Sequence, residues 1–404
     1  MKKPIAFLVA GAAAGLLAAM AQTTPYLPEQ LQLRVAIDIA GDLGLAPNST
    51  YNPRSFDGYN YVVQINAGTT GIGRYVSGSA KPEVVIENST EPLEHRMLAP
   101  FRGALSSTYM LGGSGAKSGG VTTTLSRYDF DGLNRVDAET PASLSVEGFD
   151  WVDDDTIICC IYSSGHRTEL YLMDVVAEPF AVKANTTWNA EGAIATSAST
   201  RIRNVRVGDK YSGYAYYGDA GMNSSPAFFA VNLATGVETL LGYAGELTGS
   251  GSFGLWTVVE RGGYLYVQTT DNGIDVYEMT DATTLGAPYA TYAKGDLDAV
   301  TGYTGQYWGF DVGRDGSTLL LAAGQGRVYE LGQPILGIGE SGTDVVLEWP
   351  ESVKDVVLQS ATQMPAAVFS DLDPQPAIDV VEKMNRATLP PGGVNAFYRL
   401  RRAW

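Results

Sequence analysis

Between about Pro53 and Leu331 the chain alternates short apolar or aromatic runs with turns of Gly, Asp and Asn. Runs of this length between such turns predict buried strands, and no amphipathic helical stretch of three turns interrupts them. One unit reads most clearly. Phe149-Asp150-Trp151-Val152 leads through Asp153-Asp154-Asp155 into the apolar run 156–162, and Gly165 precedes a further strand at 169–174. The same order returns in Phe310-Asp311-Val312, Arg314-Asp315-Gly316, 318–322 and 327–331. Two more copies open at Trp256-Thr257-Val258-Val259 and at 202–207. The openings near 149, 203, 256 and 310 repeat about every 53 residues. Extrapolated backwards, they fall on Ser107-Thr108-Tyr109-Met110 and Ser55-Phe56-Asp57-Gly58.

A repeat of this length built from four short strands predicts a propeller blade. Radial closure would hide the long sheet edges that a linear array exposes. A stack of β-sandwiches gives no reason for six regular units, and a β-helix has a shorter rung. The expected fold is therefore all-β: a β-propeller of six blades over residues 50–334, with helix confined to short turns. A seventh blade would follow if 91–140 held another unit, or if the apolar segment from Leu33 to Ile39 completed one. Residues 22–49 otherwise read as an N-terminal segment or linker.

Beyond Pro334 the pattern changes. Strand candidates at 344–349, 355–360 and 396–400 are separated by prolines 350, 365, 374, 376, 390 and 391. They predict a small β-sandwich-like domain over 335–404. Trp349, then Leu358-Gln359-Ser360, then Phe397-Tyr398-Arg399-Leu400 follow one another there. This segment resembles the small C-terminal β module that closes many secreted proteins of planctomycete- and verrucomicrobium-like bacteria. That family carries a Trp soon after the Gln-Ser turn, where this chain has Phe369. The resemblance implies a structural or envelope-associated module without catalysis. The preceding repeats are similar, more loosely, to generic secreted propeller proteins.

Residues 1–21 carry Lys2 and Lys3, an apolar stretch from Pro4 to about Leu17, and Ala19-Met20-Ala21. That is the order of a secretory signal peptide, so the mature chain is expected outside the cytoplasm. No later apolar run reaches the length of a membrane span, so no transmembrane anchor is expected in the mature chain. The only cysteines, Cys159 and Cys160, are adjacent within an apolar run. Adjacent strand residues point to opposite faces, so two buried thiols are expected rather than a strained disulfide.

Composition narrows the partners. Lys and Arg total 27 against 44 Asp and Glu, a formal charge of -17. Residues 335–404 hold 9 acidic and 6 basic side chains, so residues 22–334 carry -16. Such a surface repels phosphate backbones and anionic membranes, which excludes nucleic acid and favours a neutral or cationic ligand, carbohydrate or protein.

Candidate chemistry is sparse. His95 reads as a loop or inter-blade residue, His166 as a hairpin turn, and neither has a partner at metal-ligand spacing. A GxSxG nucleophile motif is missing. Asp153 and Asp155 are the weak candidates for calcium, though no EF-hand pattern accompanies them, and no other cofactor is implied. Asp271-Asn272-Gly273 fits a hairpin turn. Acid–base carboxylates could come from the blade openings, at Glu147, Asp150 and Asp311, if two of them face each other across a glycosidic bond. Tyr217, Trp256 and Trp308 are aromatic candidates for a flat ligand, and equally suited to packing between blades. Histidine supplies a group near neutral pH without perturbation, and neither histidine lies in an expected opening strand. The leading expectation is a secreted, non-catalytic propeller that binds on its central face. The alternatives are a hydrolase or lyase acting on polysaccharide, and a structural envelope protein.

Overall fold

The computed structural model describes residues 25–44, 46–47, 50–56, 58–66, 69–88, 95–100, 109–114, 124–129, 136–139, 146–153, 155–161, 169–174, 181–182, 193–198, 202–219, 226–245, 257–313, 316, 318–332, 337–341, 344–350, 356–361, 370–381, 384–390 and 397–402. The expected signal peptide lies outside the described residues, as do His166, Trp256 and Phe369.

The described strands form eight antiparallel sheets. The first comprises Thr50–Phe56, Tyr59–Asn66, Thr69–Val76 and Pro82–Asn88, and the second His95–Pro100, Tyr109–Ser114, Thr124–Asp129 and Val136–Glu139. In the third, Val146–Trp151, Thr156–Ile161 and Glu169–Asp174 pair in order, and both Ala181–Val182 and Ala193–Ala195 pair with Glu169–Asp174. The fourth runs Ile202–Val207, Tyr214–Asp219, Ala227–Asn232 and Glu238–Tyr243, and the fifth Val258–Arg261, Tyr264–Gln268, Ile274–Asp281 and Thr284–Tyr292. The sixth contains Tyr307–Val312, Thr318–Ala323 and Arg327–Gly332, and its fourth strand is Gln32–Asp38 from the start of the chain. The apolar run from Leu33 to Ile39, read as a linker or as the completion of a seventh unit, thus supplies the fourth strand of the last of six repeated sheets.

The six sheets begin at 50, 95, 146, 202, 258 and 307. Their spacing is less even than the sequence suggested, and one expected opening is corrected. Tyr109–Ser114 is the second strand of its sheet, not the first, and His95–Pro100 opens it. That opening strand begins His-Arg and ends in Pro, so it lacks the aromatic or apolar start of the later units. His95 accordingly lies in a first strand and not in a loop.

Contacts between first strands link the sheets in succession. Thr50–Phe56 touches His95–Pro100 and Tyr307–Val312, while Val146–Trp151 touches His95–Pro100 and Ile202–Val207. Val258–Arg261 likewise touches Ile202–Val207 and Tyr307–Val312.

Side-chain alternation explains the continuous apolar runs. Thr318–Ala323 is buried along its whole length because both faces of its sheet are covered. Leu319 and Leu321 pack with Tyr266, Val276 and Tyr292 of the fifth sheet. Leu320, between them, packs with Val35, Ile37, Val62 and Tyr75, which joins the first sheet to the sixth. Tyr217 and Tyr216 divide in the same way. Tyr217 packs with Ile158, Cys160 and Leu170 of the third sheet, and Tyr216 with Val258, Leu265 and Val267 of the fifth.

Helix is limited among the described residues to Pro28–Gln30, Ile39–Asp42 and Lys294–Thr301. The last ends on Gly302 at φ 69°, a left-handed C-cap that suits glycine. It connects the fifth and sixth sheets and buries Leu297.

The C-terminal residues form two sheets. Gly337–Ser341, Asp344–Pro350, Met384–Leu389 and Ile378–Val381 make one, and Ser370–Asp371, Val356–Ala361 and Phe397–Arg402 the other. Leu347, Trp349 and Ala387 from one pack with Leu358 and Tyr398 from the other.

Cys159 and Cys160 are fully buried thiols not joined in a disulfide. Cys160 packs against the fourth sheet, and burial pushes the Cys159 thiol up to about 12, partly offset by a backbone hydrogen bond at Tyr171. Native protein should therefore leave both thiols unreacted with an aromatic disulfide reagent, and two should titrate on unfolding. Because the folded thiol holds its proton more tightly than the unfolded one, this contribution is complete below about pH 9 and is lost as pH rises towards about 12. Denaturant midpoints should fall through that range, and less so in Cys159→Ala.

Candidate functional site

Several buried charges lie in first strands of the six sheets. In five of these sheets the register between the first two strands shifts, just before Arg54, Met97, Gly148, Val205 and Phe310. Such bulges re-aim the residues that follow. Arg54, Asp150, Arg206 and Asp311 each lie within two residues after one of these shifts, and Arg261 ends the opening strand of the fifth sheet.

These side chains reach across sheets. Arg54 of the first sheet donates through Nη2 to the Phe149 carbonyl at 2.6 Å, and its Nη1 lies 3.7 Å from Asp150 Oδ2 in the third. Asp150 Oδ2 also accepts from the backbone N–H of Val207 in the fourth sheet at 2.9 Å, and Oδ1 from Trp151 at 3.0 Å. Arg206 of the fourth sheet donates through Nη2 to the Pro53 carbonyl of the first at 3.3 Å. Asp311 of the sixth accepts from Ser55 N–H at 2.9 Å and from Arg261 Nη2 at 3.4 Å. Arg261 also donates through Nε to the Val312 carbonyl and through Nη1 to that of Glu260, both at 2.9 Å.

The cluster is withdrawn from water. Asp150 is 3% exposed, Asp311 1% and Arg206 0%. Burial raises Asp311 above the ordinary carboxylate range, opposed by Arg261, Arg54 and the N–H groups of Ser55 and Val312. Burial likewise lowers the Arg54 guanidinium, opposed chiefly by Asp150 and then Asp311. A desolvated ion pair holds when each charge is met by a partner and by hydrogen bonds, as here.

Two further carboxylates, Glu260 and Glu330, are fully buried. Glu260 accepts from the N–H groups of Asp209 at 2.6 Å and Gly263 at 2.7 Å, which ties the fifth sheet to the turn at 208–213. Glu330 accepts from Ser77 Oγ and Gly78 N–H, both at 2.8 Å, and from Asn60, while Arg34 Nε lies 3.1 Å away. One carboxylate therefore binds the N-terminal strand, the first sheet and the sixth.

The structure brings together two of the three carboxylates picked out by sequence, Asp150 and Asp311, around Arg54. Glu147 lies in Val146–Trp151, and its side chain is outside the described residues. Among the aromatic candidates, Tyr217 is fully buried, stacked on Phe229 at 5.2 Å and bonded through its hydroxyl to Glu238. Trp308 is half-buried in the opening strand of the sixth sheet, near Tyr303 and Gly324. Asp153 and Asp155 are exposed and serve their turn: Asp153 Oδ1 accepts from Asp155 N–H at 3.2 Å, and Asp155 Oδ1 from Thr156 Oγ1 at 2.7 Å. Among the described residues no three His, Cys, Asp or Glu side chains group to hold a metal ion. Asn272, at φ 74°, makes the expected turn and accepts from Tyr307 N–H at 2.6 Å. Arg54, Arg206, Arg261 and Glu330 are absent from the sequence candidates. Their signal was a charged residue inside an otherwise apolar strand, as in Val205-Arg206-Val207.

Among the described residues no helix is long and apolar enough to cross a membrane. No protein-family model matches the chain, and no curated protein matches it. Among solved structures, one described as "Crystal Structure of Mitotic Checkpoint Complex" is similar at 14% identity and a TM-score of 0.43, covering 69% of this chain and 75% of that one. A likeness of that size carries no functional argument, and the chain is established as an all-β protein of several antiparallel sheets by its own strand pairing.

Proposed function

We propose that the chain is an exported six-bladed β-propeller with a β-sandwich-like C-terminal domain, and that it binds a neutral or cationic ligand without catalysis. The succession of contacts between first strands, and the N-terminal strand completing the sixth sheet, support the propeller. The apolar cluster shared by the two C-terminal sheets supports the sandwich. Export rests on the sequence of residues 1–21 and on the C-terminal resemblance.

The observation that carries the non-catalytic reading is the engagement of Asp150 and Asp311. A carboxylate acting on a polysaccharide must reach it, and each of these is buried and committed to an arginine and to backbone N–H groups. Of the two aromatic candidates among the described residues, Trp308 is the one with surface to offer, and the charge of residues 22–334 favours ligands that are not anionic. Immobilised neutral, cationic and acidic polysaccharides, together with basic and acidic proteins, form the test panel. Saturable binding to a neutral or cationic member is expected, weakened about tenfold or more in Trp308→Ala at unchanged stability. Binding confined to acidic members, or untouched by that substitution, would contradict the reading.

A further inference from the structure

Residues opposite one another in an antiparallel pair share one face of the sheet. Among the C-terminal strands one such row runs Leu347, Ala387, Ile378, and the next runs Trp349, Asn385, Val380. Leu347, Trp349 and Ala387 are buried with Leu358 of the facing sheet. Further along the same rows, Ile378 is 49% exposed and Val380 56%. The facing sheet therefore covers the middle strands and stops short of Ile378–Val381. That strand is also an edge, paired with Met384–Leu389 alone among the described residues. All four of its residues are exposed. Such an edge offers unpaired N–H and C=O groups, beside an uncovered apolar face, to one more strand. Charge decides what that strand carries. From Ser370 to Val381 the chain holds Asp371, Asp373 and Asp379 and no lysine or arginine. Arg386, opposite Asp379 in register, donates through Nε to Glu348 at 2.7 Å. A second copy would set these carboxylates against their own kind, in a chain whose formal charge is already -17.

We propose that Ile378–Val381 is a docking edge for an extended cationic segment of a partner protein, in which apolar residues alternate with lysine or arginine. The segment adds to the sheet as a further strand. Side chains alternate between faces, so its apolar residues cover Ile378 and Val380 while its cations meet Asp379 on the opposite face. This surface shares no residue with the one assigned to Trp308, so either assignment can fail without the other.

The test titrates full-length protein with a labelled strand-length peptide of alternating lysine and valine. One control peptide has glutamate in place of lysine, and another is N-methylated along its backbone so that it cannot pair. Saturable binding of the lysine peptide is expected, about tenfold or more tighter than that of either control. Asp379→Lys and Val380→Lys should each weaken it by about tenfold or more, and both positions are exposed, so the variants should fold. Hydrogen exchange in the wild-type complex should slow at Ile378–Val381, a readout that requires no variant. Equal binding of the glutamate peptide, unchanged affinity in both variants, unaltered exchange in that strand, or a dimer of the chain that Val380→Lys dissociates would each overturn the proposal.

Discussion

Replacing Glu330 by alanine is expected to lower stability by about 3–5 kcal/mol, because it removes one partner of a buried pair and leaves the other charge uncompensated. Glu330 is fully buried, 3.1 Å from Arg34, which is itself 6% exposed. The substitution also strips acceptors from Ser77 Oγ, the Gly78 N–H and Asn60 Nδ2. Those donors belong to the first sheet, whereas Arg34 lies in the strand that completes the sixth. The loss should therefore fall on the joint between the ends of the repeat. Urea unfolding would show a lower midpoint, and hydrogen exchange would show early opening of Gln32–Asp38. Glu330→Gln retains the shape and part of the acceptor capacity, so it should cost less than the alanine variant. An alanine variant within 1 kcal/mol of wild type would remove Glu330 from this role.

Arg54→Met is the second large loss expected, again about 3–5 kcal/mol. Methionine fills much of the same volume, so the change isolates the guanidinium. Without it, Asp150 loses its ion-pair partner and the Phe149 carbonyl loses its 2.6 Å donor. Asp311, already raised by burial, loses one of the two cations that oppose that shift. The double variant Arg54→Met with Asp150→Asn should regain part of the loss, since a neutral amide no longer needs the cation. A double-mutant cycle on urea midpoints measures the coupling, and additive losses would show that the two side chains act independently.

These two clusters also mark where sequence reading stopped. The inner strands of the third to sixth sheets were legible where both faces are covered, as in Thr318–Ala323, which is buried along its whole length. The second sheet was mis-set because His95–Pro100 opens with two basic residues and the extrapolated period landed on Tyr109–Ser114. The apolar run from Leu33 to Ile39 was legible as a strand that could complete a blade, but not which one: its partner lies at Arg327–Gly332, and no local pattern records a pairing across the length of the repeat. The buried ion pairs were hidden for the same reason. Ser55 and Asp311 are 256 residues apart, and Arg54 reaches a carbonyl 95 residues away. Asp150 and Asp311 were selected for their position in opening strands, and both lie in the first strands of their sheets. Their contacts with Arg54, Arg261 and neighbouring backbone required the folded arrangement.

The central claim is that these carboxylates hold sheets together and do not turn over substrate. The most direct measurement is a reducing-end and unsaturated-product assay on neutral and acidic polysaccharides, run on wild type, Asp150→Asn and Asp311→Asn, with urea midpoints recorded for each. The account predicts no product from any of the three proteins, and shifted midpoints in both variants. Product formed by wild type and lost in both variants while they remain folded would contradict it.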